Sequence, residues 1–426
     1  MRKLIVPEKL NEGDKIAFIS LSGGRAGDPD MLPRYQRAKK RFEDVFNVQV
    51  VETPNALKGR DYIFVHPDKR AEDLMQALED KSIKGIVCNM GGDDSYRVLP
   101  YIDTRVIRDN PKVFMGYSDI ATWISVFAYA GVRAYYGPNV LTPIGQPGSL
   151  DRYTEDAIKR TLFSSAKIGE IKPCDRHTPI DWGDTPADKI EWTKNTGYKV
   201  LQGKGAVEGH LVPVCGGPLW QIMGTKFFPG KDIWEDSIIA IEHSKQMLYG
   251  NINAAKHQLR AFAAAGAFDK AKAILTGPLD KESEDVLLGV INDEVRRPDL
   301  VVLENVDFIH RTPMTVLPMC ARSRIDCSNA IFEILESGVS DGLEPDKLAD
   351  ELIRQVDRLH TTELGAERIR KNLGLGDVDV VAWCRELILS SFARISREGK
   401  NWYVSGHGCV ITVNAKSLTI ITAHKG

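Results

Sequence analysis

The sequence predicts an α/β protein whose first third forms a mainly parallel β-sheet. Short apolar runs such as Asp14–Leu21 recur there, and several of them end in glycine or serine before a segment with helical periodicity. Continuous apolar runs are typical of strands buried on both faces, and their alternation with helices indicates crossover connections. The length of 426 residues favours two or three domains.

The first predicted domain, residues 1–165, contains the parallel strands and their helices. The predicted strands are Asp14–Leu21, Val48–Glu52, Gly85–Met90 and Lys112–Met115. The predicted helices are Arg34–Phe46, which carries charges on one face, Lys69–Glu79, whose apolar residues share one stripe, and Ile120–Ala130. This order of elements predicts helices on both faces of the sheet.

Residues 166–204 lack a hydrophobic period and are rich in Pro, Asp, Lys and Trp, so they are predicted to form an interdomain loop. A second domain is predicted over 205–340. Its predicted elements are the strands Ser237–Ile241, Ala271–Leu275 and Leu300–Leu303 and the helix Ile252–Ala265.

Residues 341–426 are predicted to form a third, α+β domain. Pro345–Leu359 places leucines and a valine on one face of a helix, and a second helix is predicted over Val380–Ser390. Short strand-like segments separated by turns follow, which predicts an antiparallel meander.

Composition excludes several classes of function. Lys and Arg number 56 against 58 Asp and Glu, so the chain offers no broad basic surface for nucleic acid or an anionic membrane. No apolar stretch reaches the roughly 20 residues of a membrane span, and the N-terminal apolar run is too short for a signal peptide. The seven cysteines are scattered without a C-x-x-C pair. We therefore expect a cytoplasmic protein without a disulfide framework, metal site or cofactor.

The segment Gly116-Tyr117-Ser118-Asp119 follows a predicted buried strand and precedes a predicted helix. A serine at such a junction projects its hydroxyl at the carboxyl end of the sheet, and the next amide lies where an oxyanion is stabilised. The logic is that of a nucleophile elbow, although Ile120 replaces the second glycine of that motif. Ser118 as a simple helix N-cap is the alternative.

A serine nucleophile requires a base and a group that orients the base. Glu242 directly follows the run SIIAI, at the carboxyl end of a predicted strand, and a surface carboxylate is the alternative interpretation. His310 lies a few residues after another predicted strand. Spacing alone leaves His243 and His210 open for the same role, and a loop histidine remains an alternative for His310.

Two further groups complete the candidate site. Gly91 and Gly92 follow a predicted strand and are a source of backbone N–H donors for an oxyanion, with a plain tight turn as the alternative. Trp182 and Trp192 lie in the irregular segment, where exposed indoles stack on flat ligands or instead fasten the loop to the body of the protein.

Several segments together resemble the LD-carboxypeptidase family of serine peptidases over roughly residues 5–337. They are GDKIAFISLSGG, NMGGDDSYRVLPYID, NPKVFMGYSDIATWISVFAYAGVRAYYGPNV, GKGAVEGHLVPVCGGPLWQIMGT, SIIAIEHS and ENVDFIHRTPMTVLPMCARSRID. The GGDDSYRVLPYID stretch is most similar to the branch of microcin C self-immunity peptidases. The tail, with LHTTELGAERIRKNLGL and GKNWYV, resembles a small bacterial domain family of unknown function.

The resemblance implies a Ser–His–Glu triad of Ser118, His310 and Glu242. It implies oxyanion donors in the amides of Asp119 and of the Gly91-Gly92 turn. It further implies a flavodoxin-like N-terminal domain, a smaller β-rich α/β second domain and a homodimer.

The implied substrate is a small peptide or a peptidyl- or aminoacyl-nucleotide of the microcin C type. The alternatives are a murein tetrapeptide trimmed in cell-wall recycling and a non-catalytic peptide or nucleotide sensor. Residues expected to contact the substrate are Asp93, Trp182, Trp192, Lys245 and Arg311.

Overall fold

A computed structural model of the protein describes residues 4–243, 251–342, 351–390 and 393–426. Its strands are β1 Lys15–Ile19, β2 Gln49–Glu52, β3 Ile83–Cys88, β4 Val113–Gly116, β5 Tyr135–Tyr136, β6 Gly169–Ile171, β7 Arg176–Pro179, β8 Thr193–Lys194, β9 Lys199–Gln202, β10 Ala206–Cys215, β11 Ser237–Glu242, β12 Ala273–Leu275, β13 Val301–Glu304, β14 Arg311–Thr312, β15 Leu317–Pro318, β16 Arg322–Asp326, β17 Ile331–Ile334, β18 Arg394–Glu398, β19 Asn401–Gly406, β20 Cys409–Asn414 and β21 Ile420–Lys425.

Its α-helices are α1 Leu32–Phe46, α2 Arg60–Val65, α3 Pro67–Glu79, α4 Thr104–Asp109, α5 Ala121–Ala130, α6 Arg152–Leu162, α7 Gly216–Gln221, α8 Lys231–Trp234, α9 Ile252–Ala264, α10 Lys281–Gly289, α11 Glu363–Leu373 and α12 Val380–Leu389. Within the described ranges, no helix has both the length and the apolar character needed to cross a bilayer.

The N-terminal sheet has six strands in the order β15-β5-β4-β3-β1-β2. Strands β1 to β5 run parallel. Strands β1, β3, β4 and β5 are mostly buried because helices cover both faces of the sheet, whereas the edge strand β2 is partly exposed. The outer strand β15 comes from residues 317–318 and pairs antiparallel with β5. The second domain therefore completes the first domain's sheet.

The second sheet has eight strands in the order β6-β17-β16-β10-β11-β12-β13-β9. Its central strands β10 to β13 are parallel, and the strands around them are antiparallel. Segment 166–204, predicted as a loop, contributes four strands: β6 and β9 border this sheet, and β7 and β8 form a small sheet with β14. Each of these strands has only two to four residues, which is too short for a periodic pattern.

The tail domain packs the antiparallel strands β18 to β21 against α11 and α12 around its own core, which includes Trp402 and Cys384. Of the helix predicted at 345–359, residues 345–350 lie outside the described residues, and Val356–Arg358 forms a 3-10 turn. The predicted fold class, a parallel N-terminal sheet domain followed by a second α/β domain and an α+β tail, is confirmed.

Candidate active site

Ser118 lies in the abrupt turn between strand β4 and helix α5. It begins a 3-10 turn over Ser118–Ile120 and has a φ of 64°, a left-handed value that non-glycine residues rarely adopt. Asn139 holds the preceding residue from both sides: its Oδ1 accepts the Tyr117 amide at 3.2 Å, and its Nδ2 donates to the Tyr117 carbonyl at 3.3 Å. The surrounding structure thus maintains a strained backbone at the candidate nucleophile.

A line of hydrogen bonds joins Ser118, His310 and Glu242. Nε2 of His310 lies 2.9 Å from Oγ of Ser118, and Nδ1 lies 2.7 Å from Oε1 of Glu242. The backbone amide of His310 donates to the same carboxylate oxygen at 2.7 Å. Because Glu242 only accepts, the network assigns the ring proton to Nδ1 and leaves Nε2 as the acceptor for the serine hydroxyl. This arrangement suits a serine whose proton is taken by histidine.

The topology explains how these distant residues meet. Glu242 is the last residue of β11, in register with the end of β10, and His310 directly precedes β14. Glu242 is 3% exposed, and the hydroxyl of Tyr136 donates to its Oε2 at 3.1 Å. The same hydroxyl accepts the amide of Ser118 at 3.4 Å. Burial, with Glu242 nearby, holds the pKa of Tyr136 well above its ordinary value, so this donor stays protonated.

The Gly91-Gly92 turn packs directly against Ser118. An ideal Cβ on Gly91 would lie 2.7 Å from Cβ and 2.8 Å from Oγ of Ser118, and 3.2 Å from the amide nitrogen of Asp119. The carbonyl of Gly91 accepts the Gly23 amide at 3.0 Å, and a Cβ on Gly92 would clash with Ser22. Only glycine allows this close approach between the turn and the candidate nucleophile.

Asp119 belongs to the same 3-10 turn as Ser118, and its side chain is fully buried. Its Oδ2 accepts from Ser22 Oγ at 2.5 Å and from the Ser95 amide at 2.8 Å. Burial raises the pKa of Asp119, and the donors from Ser22 and Ser95 oppose that rise. The side chain of Asp119 thus links the Ser118 turn to the segments that follow β1 and β3.

A cavity of about 580 Å³ opens onto Ser118 and His310. Gly91, Gly92, Asp93 and Trp182 line it, all of them expected near the site. The indole of Trp182 is 39% exposed, and the guanidinium groups of Arg25 and Arg34 lie 5.8 Å and 5.9 Å from its ring centroid. This aromatic ring is held beside the cavity and remains accessible from it.

The three other residues expected to contact substrate are placed differently. Trp192 does not line the cavity and lies 4.2 Å under the guanidinium of Arg176. Arg311 is buried away from the cavity, where its Nη2 donates to Asp307 at 2.5 Å and to the side chain of Asn305 at 3.0 Å. Lys245 lies outside the described residues.

Sequence reasoning did not propose Tyr136, Trp220 or Gln258, although each contacts the triad or lines the cavity. Trp220 follows the Gly216-Gly217 pair, a glycine signal like the one at Gly91. Gln258 gives no signal, because its position depends on how α9 packs against α7.

Two histidines were left open by sequence spacing as rivals for the base. His210 bonds the carbonyl of Ile233 at 2.7 Å and lies beside Ser237, at the opposite end of β11 from Glu242. His243 lines the cavity but makes no hydrogen bond to Ser118.

The fold and site define an α/β serine hydrolase, and comparison with known proteins identifies its family. Residues 16–137 match the LD-carboxypeptidase N-terminal domain, and residues 208–325 match the LD-carboxypeptidase C-terminal domain. Together they cover more than half of the chain. The chain belongs to the LD-carboxypeptidase family and is a serine carboxypeptidase. Residues 353–424 match a family described as a protein of unknown function (DUF3781).

Three comparisons bear on the substrate. The microcin C7 self-immunity protein MccF of Escherichia coli is 26% identical over 64% of this chain and 79% of its own length. A Bacillus subtilis protein named as a probable murein peptide carboxypeptidase is 25% identical over 79% of this chain and 96% of its own. A structure of MccF in complex with aspartyl sulfamoyl adenosine has a TM-score of 0.71 at 25% identity, covering 79% of this chain and 99% of that one.

Proposed function

We propose that Ser118, His310 and Glu242 form the catalytic triad of this carboxypeptidase and that it hydrolyses the acyl–nitrogen bond of an aminoacyl- or peptidyl-nucleotide. The supporting observation is the continuous hydrogen-bond line from Ser118 Oγ through His310 to Glu242. A binding protein without catalysis has no need of a strained serine aligned with a histidine acceptor.

In the proposed reaction, His310 Nε2 takes the proton of Ser118 Oγ as the oxygen attacks the acyl carbon. Glu242 holds the ring through Nδ1–H and stabilises the positive charge that the ring acquires. His310 then gives the proton to the departing nitrogen, and the acyl–nitrogen bond breaks. Water, activated by the same ring, releases the acyl group from Ser118.

The oxyanion of the tetrahedral intermediate is proposed to lie between the Asp119 amide and the Gly91-Gly92 turn. The close packing of Gly91 on Ser118 and on the Asp119 nitrogen supports this choice. Removing one such donor in a well-studied serine protease costs about 2.7–4 kcal/mol of transition-state stabilisation.

The nucleotide assignment rests on Trp182 and on the similarity to MccF. An exposed indole beside the cavity offers a stacking surface, and stacking of one base on an aromatic side chain contributes about 1–3 kcal/mol. The solved MccF complex contains an aminoacyl-sulfamoyl nucleoside. We therefore propose that the nucleobase stacks on Trp182 and that the acyl group lies against the cavity wall that the second domain forms.

Murein tetrapeptide is the second candidate, favoured by the name of the Bacillus subtilis relative. Such a peptide ends in a free carboxylate, which is normally bound by a cation or by amide donors. Among the described residues that line the cavity, the acidic side chains are Asp93 and Glu242, and none is Lys or Arg. The described wall thus offers no cation for that carboxylate, and the choice of the nucleotide substrate is based on Trp182 and the similarity to MccF.

The test offers the purified protein aminoacyl-sulfamoyl adenosines and the murein tetrapeptide in parallel, with Ser118→Ala as control, and follows products by mass spectrometry. We expect release of the amino acid and sulfamoyl adenosine by the wild type only. Loss of terminal D-alanine from the tetrapeptide alone would instead assign cell-wall recycling. Binding without turnover of either would support the sensor.

We also propose a cytoplasmic homodimer. Sedimentation equilibrium should give about twice the monomer mass of 47.4 kDa, and a single monomer mass would refute the dimer.

A further inference from the structure

His243 lies in the cavity wall, and within the described part of the chain neither of its ring nitrogens has a hydrogen-bond partner. The residue is 4% exposed, and Nδ1 and Nε2 are both buried. Burial lowers the pKa of His243 to about 4, so at neutral pH the ring offers one donor and one acceptor. Proteins rarely keep a buried polar group unpaired unless a ligand or water satisfies it.

Gln258 lies beside His243 on the same wall. It is 2% exposed and lines the cavity. An ideal Cβ on Gly216 would lie 2.9 Å from Oε1 of Gln258 and 3.8 Å from Nδ1 of His243. Both side chains therefore reach the same crowded point beside Gly216, so two uncharged polar groups border one part of the cavity.

The charges on this wall disfavour an anion. Glu242, the neighbour of His243, and Asp93 are the acidic side chains among the described lining residues. None of the described lining residues is Lys or Arg, so a carboxylate buried beside these two neutral groups would lack a cation. A carboxamide of the same shape is uncharged and offers both the donor and the acceptor that the ring of His243 requires.

We infer that His243 and Gln258 form the subsite for the side chain of the acyl group and select a neutral carboxamide over a carboxylate. This inference rests on the proposed function, which assigns the nucleobase to Trp182 of the interdomain segment, beside Arg25 and Arg34 of the first domain. His243 follows β11 and Gln258 lies on α9, so both belong to the second domain's wall of the cavity.

The test compares kcat/KM for the asparaginyl, aspartyl and leucyl conjugates of sulfamoyl adenosine. Asparagine and aspartate side chains have nearly the same shape, so their difference reports charge and hydrogen bonding. We expect the wild type to prefer asparaginyl by about tenfold or more over both others. In His243→Leu the asparaginyl-to-leucyl ratio should fall by about tenfold.

A ratio of two substrates is insensitive to general damage by the substitution. His257→Leu, at an exposed position on α9, is the matched control and should leave the ratio unchanged. Equal or faster turnover of the aspartyl conjugate, or an unchanged ratio in His243→Leu, would overturn the subsite while the proposed function stands. Turnover of none of the three would overturn both.

Discussion

Replacing Gly91 with alanine should disable the active site while leaving the protein folded. The new Cβ would lie 2.7 Å from Cβ of Ser118. Carbon atoms in contact rest at about 3.5 Å or more, so one of the two must move by about 0.8 Å. That movement breaks the 2.9 Å contact between Ser118 and His310. A misplacement of about 1 Å lowers catalysis by about 100-fold, and overpacking costs about 1–3 kcal/mol of stability.

The assay measures kcat for the aminoacyl-sulfamoyl adenosine that the wild type hydrolyses fastest. Urea unfolding gives the free energy of unfolding of each variant. Gly376→Ala is the matched control, because a Cβ there meets no atom of the described residues within 4 Å and φ is not left-handed. We expect kcat to fall about 100-fold in Gly91→Ala and to stay at the wild-type value in the control. Wild-type kcat in Gly91→Ala would refute the placement of the turn against the nucleophile.

Three further predictions follow from the site. Trp182→Ala should raise KM for aminoacyl nucleosides by about 5- to 150-fold with little change in kcat, and Trp192→Ala should not; equal effects would contradict base stacking on Trp182. Tyr136→Phe removes the hydroxyl that bridges Glu242 and Ser118, so kcat should fall by about tenfold with KM unchanged; unchanged kcat would refute this positioning role. The pKa of His243 is about 4 in the folded state against 6.5 for an ordinary histidine, so its contribution to stability is present above pH 6.5 and is lost as pH falls toward 4. His243→Leu should therefore lose less unfolding free energy than the wild type between pH 7 and 4, by up to about 3 kcal/mol, and an identical pH dependence of urea unfolding would show that this ring does not stay neutral.

The parallel sheet could be predicted from the sequence because each buried strand carries its own apolar run. The same local signal indicated Ser118 and Glu242, which both lie where such a run ends. Strands β6 to β9 gave no such signal, since each has only two to four residues.

The histidine of the proposed triad could not be identified from a local sequence pattern. His310 lies 192 residues from Ser118 and 68 from Glu242, and only the packing of the two domains brings the three together. Spacing left His210 and His243 equally open, and only the family resemblance selected His310. The subsite residues depend on burial and on missing partners, which no sequence pattern reports.

Labelling with a fluorophosphonate followed by peptide mapping tests the triad most directly. A serine activated by histidine forms a covalent adduct, whereas an ordinary serine does not react. We predict a single adduct on Ser118 in the wild type and its loss in His310→Ala, with Glu242→Gln strongly slowed. An adduct at another residue, or labelling of His310→Ala at the wild-type rate, would contradict the account.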